Sequence, residues 1–354
     1  MTVYLTQKSV VKQSIFPDSQ QQTQKGSEGH MAVYFYMSDS TDGWRNLATD
    51  GFFLENLKKD DIMLYFYVNA NAVIIGKNQN AWRECNVDAM EKDCVQLVRR
   101  HTGGGAVFHD DRNLNFSFIM NEGRYDIRRQ MGVIQKMVAA LGMTAELSGR
   151  NDILIEGKKF SGNAFAASRG MKAHHGTIMV NTDLSRLAGY LNVSEKKMRA
   201  KGITSVKSRV CNLSDFNDSV TVQTVLELLK KEYEAEYGAY TEYKFNEQEL
   251  ARIEELYAVQ SSWEWRFGQT PAFDYQLEER FSFGEMQFLF QVEGGHISNV
   301  AVFSDALDTE LVQLVRDRMV GVRFHPKDLS EAVEKDPARP EFKEIGQYIA
   351  AMEF

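Results

Sequence analysis

The stretch Arg99-Arg100-His101-Thr102-Gly103-Gly104-Gly105-Ala106-Val107-Phe108-His109-Asp110 sets three adjacent glycines between an arginine pair and a His-Asp pair. Glycine reaches positive φ at no steric cost and lets a ligand approach the main chain closely. Successive N–H groups in such a turn form an anion-binding nest. The flanks, Cys94–Val98 and Leu114–Ile119, read as strands. A plain hairpin turn uses one or two glycines. Three of them beside paired arginines point instead to a loop that holds a bound ligand.

The rest of the chain bounds what that ligand is. The 354 residues are 43% hydrophobic and 11% aromatic, enough for a well-buried core and for two domains. A formal net charge of −8 argues against a general nucleic-acid binder. No run of eighteen apolar residues suits a membrane span, and no signal-peptide stretch opens the chain, so no membrane partner and a cytoplasmic location are expected. Cys85, Cys94 and Cys211 match no zinc spacing and fit a reduced compartment.

Residues 1–30 carry six glutamines and end Gly26-Ser27-Glu28-Gly29-His30, which reads as a flexible leader or tag-like extension. From Met31 the pattern is globular. Val33–Met37, Ile62–Val68, Ala72–Ile75 and Thr177–Val180 read as strands, and Ile153–Ile155 with Lys159–Phe160 as a hairpin turning at Glu156-Gly157. Trp44–Lys58, Ile127–Leu141, Thr221–Tyr237 and Glu247–Val259 read as helices. Trp263, Trp265 and Phe267 alternate, and Gly268–Pro271 breaks the pattern. Phe288, Phe290 and Val292, the Gly294-Gly295 turn, and Val300 and Val302 form a hairpin, with a helix from Asp308 to Met319. The expected organisation is a catalytic domain over 31–265, a linker over 266–281 and a small α+β domain over 282–354.

Four further segments carry chemistry. In Gly149-Arg150-Asn151-Asp152, Asp152 suits Mg²⁺ and Asn151 suits phosphate or carboxylate oxygens, with a polar turn as the competing reading. Lys158 and Lys159 alternate on a strand, so at most one of them points into a site. His174 and His175 point apart for the same reason, which disfavours joint metal coordination and suits one satisfied core histidine. Lys196–Arg209 holds six basic and no acidic residues, either a solvated face or a loop closing on phosphate and meeting an acidic partner.

Taken in order, the glycine loop, Gly149–Asp152, Lys159-Phe160-Ser161-Gly162, His174-His175-Gly176-Thr177, Lys201–Arg209 and Ser262-Trp263-Glu264-Trp265-Arg266-Phe267-Gly268-Gln269 resemble the lipoate–protein ligase A family in its two-domain bacterial form. The resemblance runs from about Met31 to the C-terminus. It implies an α/β catalytic domain on mixed sheets, shared with biotin protein ligases, and a small C-terminal α+β domain that rotates about the Trp263–Pro271 segment. It implies two steps: lipoate and MgATP give lipoyl-AMP and pyrophosphate, then the lipoyl group passes to a lysine. The implied acceptors are apo lipoyl domains of 2-oxoacid dehydrogenase E2 subunits and glycine-cleavage H protein.

The resemblance also assigns residues. Lys159 is the implied catalytic lysine, between the lipoate carboxyl and the α-phosphate. Arg100, Gly105, Ala106, Val107 and Phe108 are implied for ATP, with Arg100 facing phosphate. Gly103, Gly104 and His109 join Lys159 for lipoate. Asn151 and Asp152 keep the phosphate or metal role read from their residue types, and Lys201, Gly202, Ser205 and Arg209 match the loop covering the adenylate. His101 departs from the small polar residue expected there. The competing readings are an octanoyl or lipoyl transferase of the same fold working through a cysteine thioester, a biotin ligase, and a non-catalytic lipoate-binding protein.

Overall fold

The computed structural model describes residues 31–149, 151–192, 209–267, 273–335 and 339–352. The leader, Lys201, Gly202, Ser205 and the Gly268–Pro271 break lie outside the described residues. The chain opens with β1 (Val33–Met37), α1 (Gly43–Asn56), β2 (Ile62–Val68), β3 (Ala72–Ile75), α2 (Ala81–Glu84), α3 (Val87–Lys92), β4 (Gln96–Arg99) and β5 (Val107–His109). There follow β6 (Asn113–Asn121), α4 (Ile127–Ala140), β7 (Glu146–Ser148), β8 (Asp152–Ile155), β9 (Lys158–Ser168), β10 (Met171–Met179) and α5 (Leu184–Tyr190). Next come α6 (Val222–Tyr237), β11 (Thr241–Glu242), α7 (Glu247–Ser261) and α8 (Trp263–Arg266). The C-terminal part holds β12 (Tyr275–Phe281), β13 (Gly284–Glu293), β14 (His296–Ser304), α9 (Thr309–Met319), α10 (Pro326–Glu334) and α11 (Pro340–Ala350).

Eight strands form one mixed sheet in the order β11-β1-β2-β6-β10-β9-β8-β7. β1 runs parallel to β2 and β11, and the pairs from β2 onward are antiparallel. One face is apolar. Leu64 and Phe66 of β2, and Leu114, Phe116, Phe118 and Met120 of β6, pack there with Ile134, Met137 and Val138 of α4 and Leu229 and Tyr233 of α6. Each such side chain contributes about 1.5–3 kcal/mol by leaving water. Asp126 caps α4 by accepting from Arg128 N and Arg129 N, and Thr221 caps α6. The other face carries the residues that alternate with these, apolar at one end with Met63 and Ile119 and polar at the other with Asn113, Asn115 and Ser117.

A second, three-stranded sheet runs β4-β3-β5, with β4 parallel and β5 antiparallel to β3. The glycine loop is therefore no hairpin: it crosses the end of β3 to join its two neighbours. The expected strand Thr177–Val180 is the end of the longer β10.

In the C-terminal part, the antiparallel sheet β12-β13-β14 packs Phe288, Phe290 and Val302 against Leu311, Val315, Phe342 and Ile345 of the helices. Gly294 and Gly295, at φ 58° and 80°, make its tight turn. One expectation needs correcting. Tyr275–Phe281, assigned to the linker, is a full strand registered along β13; Tyr275, Leu277 and Phe281 alternate with polar residues as a half-buried strand does. Trp263-Glu264-Trp265-Arg266, whose aromatics alternate, is a short helix, because the Ser262 hydroxyl caps it by accepting from Trp265 N at 3.2 Å.

Candidate active site

The polar end of the eight-stranded sheet's other face floors a cavity of about 480 Å³. Register places Tyr67 opposite Asn115, and Asn115 opposite Thr177, whose Oγ1 accepts from Gly162 N at 3.3 Å. This row of Tyr67, Asn115, Thr177 and Gly162 crosses β2, β6, β10 and β9, and all four residues line the cavity. His175 and Ala164, one pleat along, line it too. His174 points to the other face, where it is fully buried between Gln130 Oε1 at 2.9 Å and Asn163 Oδ1 at 2.8 Å.

The two lysines of β9 separate as alternation requires. Lys158 is exposed, and Lys159 turns into the cavity. Its ammonium lies 2.7 Å from Asp152 Oδ1, and a Cβ added to Gly162 would sit 2.6 Å from Nζ. Gly162 thus clears the path of the lysine. The other Asp152 oxygen is taken by Arg209. Asn151 donates from Nδ2 to Asn163 O at 2.9 Å and so pins the approach to β8.

Arg100, Gly104, Gly105, Ala106, Val107, Phe108 and His109 line the same cavity from above, and Gly103 does not. Arg100 was expected to face phosphate. Here its guanidinium is buried and holds the loop itself, donating to Gly103 O at 2.7 Å, Gly105 O at 2.8 Å, Ile74 O at 3.2 Å and Thr102 Oγ1 at 3.1 Å. Burial lowers its pKa to about 10, so it stays charged at neutral pH.

The glycines also change meaning. A Cβ on Gly103 would run into Ala306 O and Leu307 O of the C-terminal part, and one on Gly104, at φ 94°, would lie 2.8 Å from Arg100 Nη2. A Cβ on Gly105 meets nothing within 4 Å and faces open cavity. Of the three, two are required by packing and one is open to a ligand.

Arg99, unassigned by the sequence, is 1% exposed. It donates to Gly76 O, Lys77 O and Gln79 O on one side, and to Trp265 O and Arg266 O on the other. Trp265 Nε1 returns a bond to Arg99 O at 3.0 Å. His101 leaves the cavity altogether. It pairs with Gln260 Nε2 at 2.9 Å and packs against Trp265 with the rings tilted, and burial lowers its pKa to about 4.

The C-terminal part contributes Arg280, Asp305 and Leu307 to the cavity wall. Arg280 Nη1 lies 3.0 Å from Asp305 Oδ2. No local sequence signal marks these residues. Asn113 and Asn115 were also missed, although the alternation Asn113-Leu114-Asn115-Phe116-Ser117-Phe118 writes a polar face directly into β6.

The expected magnesium site does not fit. Both oxygens of Asp152 are engaged by cations, and no group of three or more His, Cys, Asp or Glu side chains suited to a metal occurs among the described residues. No cysteine lines the cavity. Burial pushes the Cys85 thiol up to about 12 and the Cys211 thiol up to about 11.

Comparison with known proteins gives the family. Residues 42–234 match the model of the lipoyl protein ligase A/B catalytic domain, and residues 270–348 that of the bacterial lipoate protein ligase C-terminus. The chain belongs to the lipoyl protein ligase A/B family. Among solved structures it is similar to LipL1 of P. falciparum in complex with lipoate, at 27% identity and TM-score 0.79, over 91% of this chain and 100% of that one. It is similar to a bi-partite lipoate protein ligase from Thermoplasma acidophilum, in a study that includes its E2 lipoyl domain, at 32% identity and TM-score 0.62, over 69% and 99% of the two chains. It is also similar to a lipoate-protein ligase A bound with ATP, at 30% identity and TM-score 0.57, over 68% and 99%. No helix among the described residues is long and apolar enough to cross a membrane.

Proposed function

We propose that the protein is an ATP-dependent lipoate–protein ligase, with Lys159 as its catalytic residue. The observation that carries this reading is the Lys159 ammonium, turned into the cavity over the bare Cα of Gly162 at one end of the polar row and countered, among the described residues, by Asp152. An incoming carboxylate replaces Asp152 as its partner. A lipoate carboxylate oxygen attacks the α-phosphorus of ATP, the bond from that phosphorus to its bridging oxygen breaks, and pyrophosphate leaves. Lys159 offsets the charge that builds on the phosphoryl oxygens. The ε-amine of an acceptor lysine then attacks the acyl carbon and loses a proton, and AMP departs.

The main chain of Gly105, Ala106, Val107 and Phe108 faces the nucleotide in this reading, and Arg100 serves by shaping that loop. Asn151 holds the entry to β8 in place. Magnesium enters as MgATP, part of the substrate, because such sites commonly combine one or two carboxylates with substrate phosphates. Lys201, Gly202, Ser205 and Arg209 cover the adenylate. The acceptors are apo lipoyl domains of E2 subunits and glycine-cleavage H protein. The absence of any cysteine from the cavity favours the ligase over a thioester-forming transferase.

The test is mass spectrometry of apo H protein and of an apo lipoyl domain after incubation with lipoate, MgATP and either wild type or Lys159→Ala. Wild type adds one lipoyl mass only when ATP is present. The variant is slower by ~10²–10³, the usual effect of removing a preorganised donor. Equal modification by both proteins removes Lys159 from the mechanism; modification without ATP replaces the ligase by the transferase.

A further inference from the structure

Resting on the ligase reading, we propose that Arg280 of the C-terminal part is a catalytic residue of the first step: its guanidinium takes the β- and γ-phosphate oxygens of the nucleotide, the group that leaves as pyrophosphate.

The small sheet and the glycine loop together place this side chain. Arg280 stands on β12 opposite Glu285 of β13. Its Nη1 donates to Asp305 Oδ1 at 3.1 Å and to Asp305 Oδ2 at 3.0 Å. Asp305 is itself held, because its Oδ1 accepts from Glu285 N at 2.7 Å. The two residues after Asp305 meet the glycine loop. Gly104 N donates to Ala306 O at 3.1 Å, and a Cβ on Gly103 would strike the main chain of both Ala306 and Leu307. Arg280 is thereby tied, through Asp305, to the loop whose Gly105 opens onto the cavity. It lines that cavity with Gly104, Gly105 and Leu307.

The donors decide what it can bind. Among the described residues, three arginines line the cavity: Arg100, Arg209 and Arg280. Arg100 spends Nε, Nη1 and Nη2 on the glycine loop and on Ile74 O. Arg209 shares Asp152 with Lys159, at the end of the cavity given to the carboxylate and the α-phosphate. A guanidinium has five N–H donors. Among the described residues the Arg280 side chain bonds only through Nη1, to Asp305, which leaves Nε and Nη2 for a ligand. The bond through Nη1 fixes the plane of the fork, and a fork held this way suits two oxygens of a phosphate chain.

The chemistry of the first step needs a cation there. The electron pair of the breaking bond goes from the α-phosphorus to the bridging oxygen, which departs on the pyrophosphate. Lys159 and Arg209 serve the side where the new bond forms. A cation already in place on the leaving side offsets the growing charge without reorganisation. Once pyrophosphate has gone, Arg280 has nothing left to hold, so transfer to the acceptor lysine does not use it.

The experiment uses full-length wild type, Arg280→Gln and Arg280→Lys, each checked for folding by its melting temperature. It measures lipoate-dependent pyrophosphate release, transfer to an apo lipoyl domain from lipoyl-AMP supplied directly, and the Kd of MgATP by calorimetry. Arg280→Gln should slow pyrophosphate release about a hundredfold, the usual effect of losing one preorganised donor. It should weaken MgATP about tenfold and leave transfer from lipoyl-AMP within about twofold of wild type. Arg280→Lys keeps the charge without the fork and should recover part of the loss. Equal losses in both steps would reduce Arg280 to a structural partner of Asp305, and unchanged pyrophosphate release in folded Arg280→Gln would remove it from the step; either result overturns the proposal. If wild type binds MgATP but releases no pyrophosphate with lipoate, the ligase reading fails and the Kd values decide: a loss of about tenfold in Arg280→Gln upholds the phosphate contact, and equal values overturn it. If wild type binds no MgATP, both fail together.

Discussion

Gly103→Ala separates packing from ligand binding in the glycine loop. The added Cβ would lie 2.7 Å from Leu307 O and closer still to Ala306 O, both rigid main-chain atoms. Ordinary van der Waals separation is ~3.5 Å, so the loop or the Ala306–Leu307 segment must retreat by roughly 1 Å. That retreat breaks the bond from Gly104 N to Ala306 O, now 3.1 Å. Overpacking of this kind costs about 1–3 kcal/mol, and the lost hydrogen bond about 0.5–1.5 kcal/mol. The expected total is about 2–4 kcal/mol, read as a fall in melting temperature of about 4–8 °C. Gly105→Ala is the control: its Cβ has open space, so stability should stay within about 0.5 kcal/mol while the KM for ATP rises. Differential scanning calorimetry of both variants decides the matter. A Gly103→Ala protein as stable as wild type would refute the assignment of that glycine to packing against the C-terminal part.

Two more predictions follow from titratable groups. The His109 pKa is depressed to about 3 by burial, against 6.5 for the free side chain. The unfolded chain therefore binds the extra proton between these values, and stability falls as pH drops below 6.5. The contribution lost by pH 5 is about 2 kcal/mol. Urea unfolding from pH 7 to pH 5 should show a slope shallower by about one proton in His109→Gln than in wild type; equal slopes would contradict a neutral, buried His109. Separately, a Cys85→Ala, Cys94→Ser, Cys211→Ser triple variant should retain ATP-dependent lipoylation within about threefold, a loss under 1 kcal/mol of barrier. Loss of activity in the folded triple variant would return the thioester route to consideration.

The parts of this fold that were legible in the sequence are those whose signals are local. β1, β2 and β3 follow apolar runs, the Asp126 and Thr221 caps mark helix starts, and Gly294-Gly295 marks a turn. Alternation alone separated Lys158 from Lys159 and His174 from His175. What the sequence left unread depended on distant partners. Arg100 looks like a phosphate ligand until Ile74 O and the loop carbonyls are seen to take its donors. Gly103 looks like a ligand contact until Ala306 and Leu307 arrive from two hundred residues away. Asp152 looks like a metal ligand until Lys159 and Arg209 occupy it. The polar stripe of β6 was readable and went unread, because attention to its apolar alternates was enough to identify a strand.

Arg99 and Arg100 have an electrostatic consequence beyond the bonds they make. Both guanidiniums are buried, both remain charged with pKa values near 10, and among the described residues their hydrogen bonds go to carbonyls and one hydroxyl and to no carboxylate. Carbonyl dipoles solvate a cation without cancelling its charge, so two full positive charges stand behind the cavity roof in a medium that screens them poorly. An anion entering the cavity meets their potential before it reaches any side chain that touches it. The arginine pair thus acts as a fixed field as well as a scaffold, drawing carboxylate and phosphate inward even though its own N–H groups are already spent on the protein.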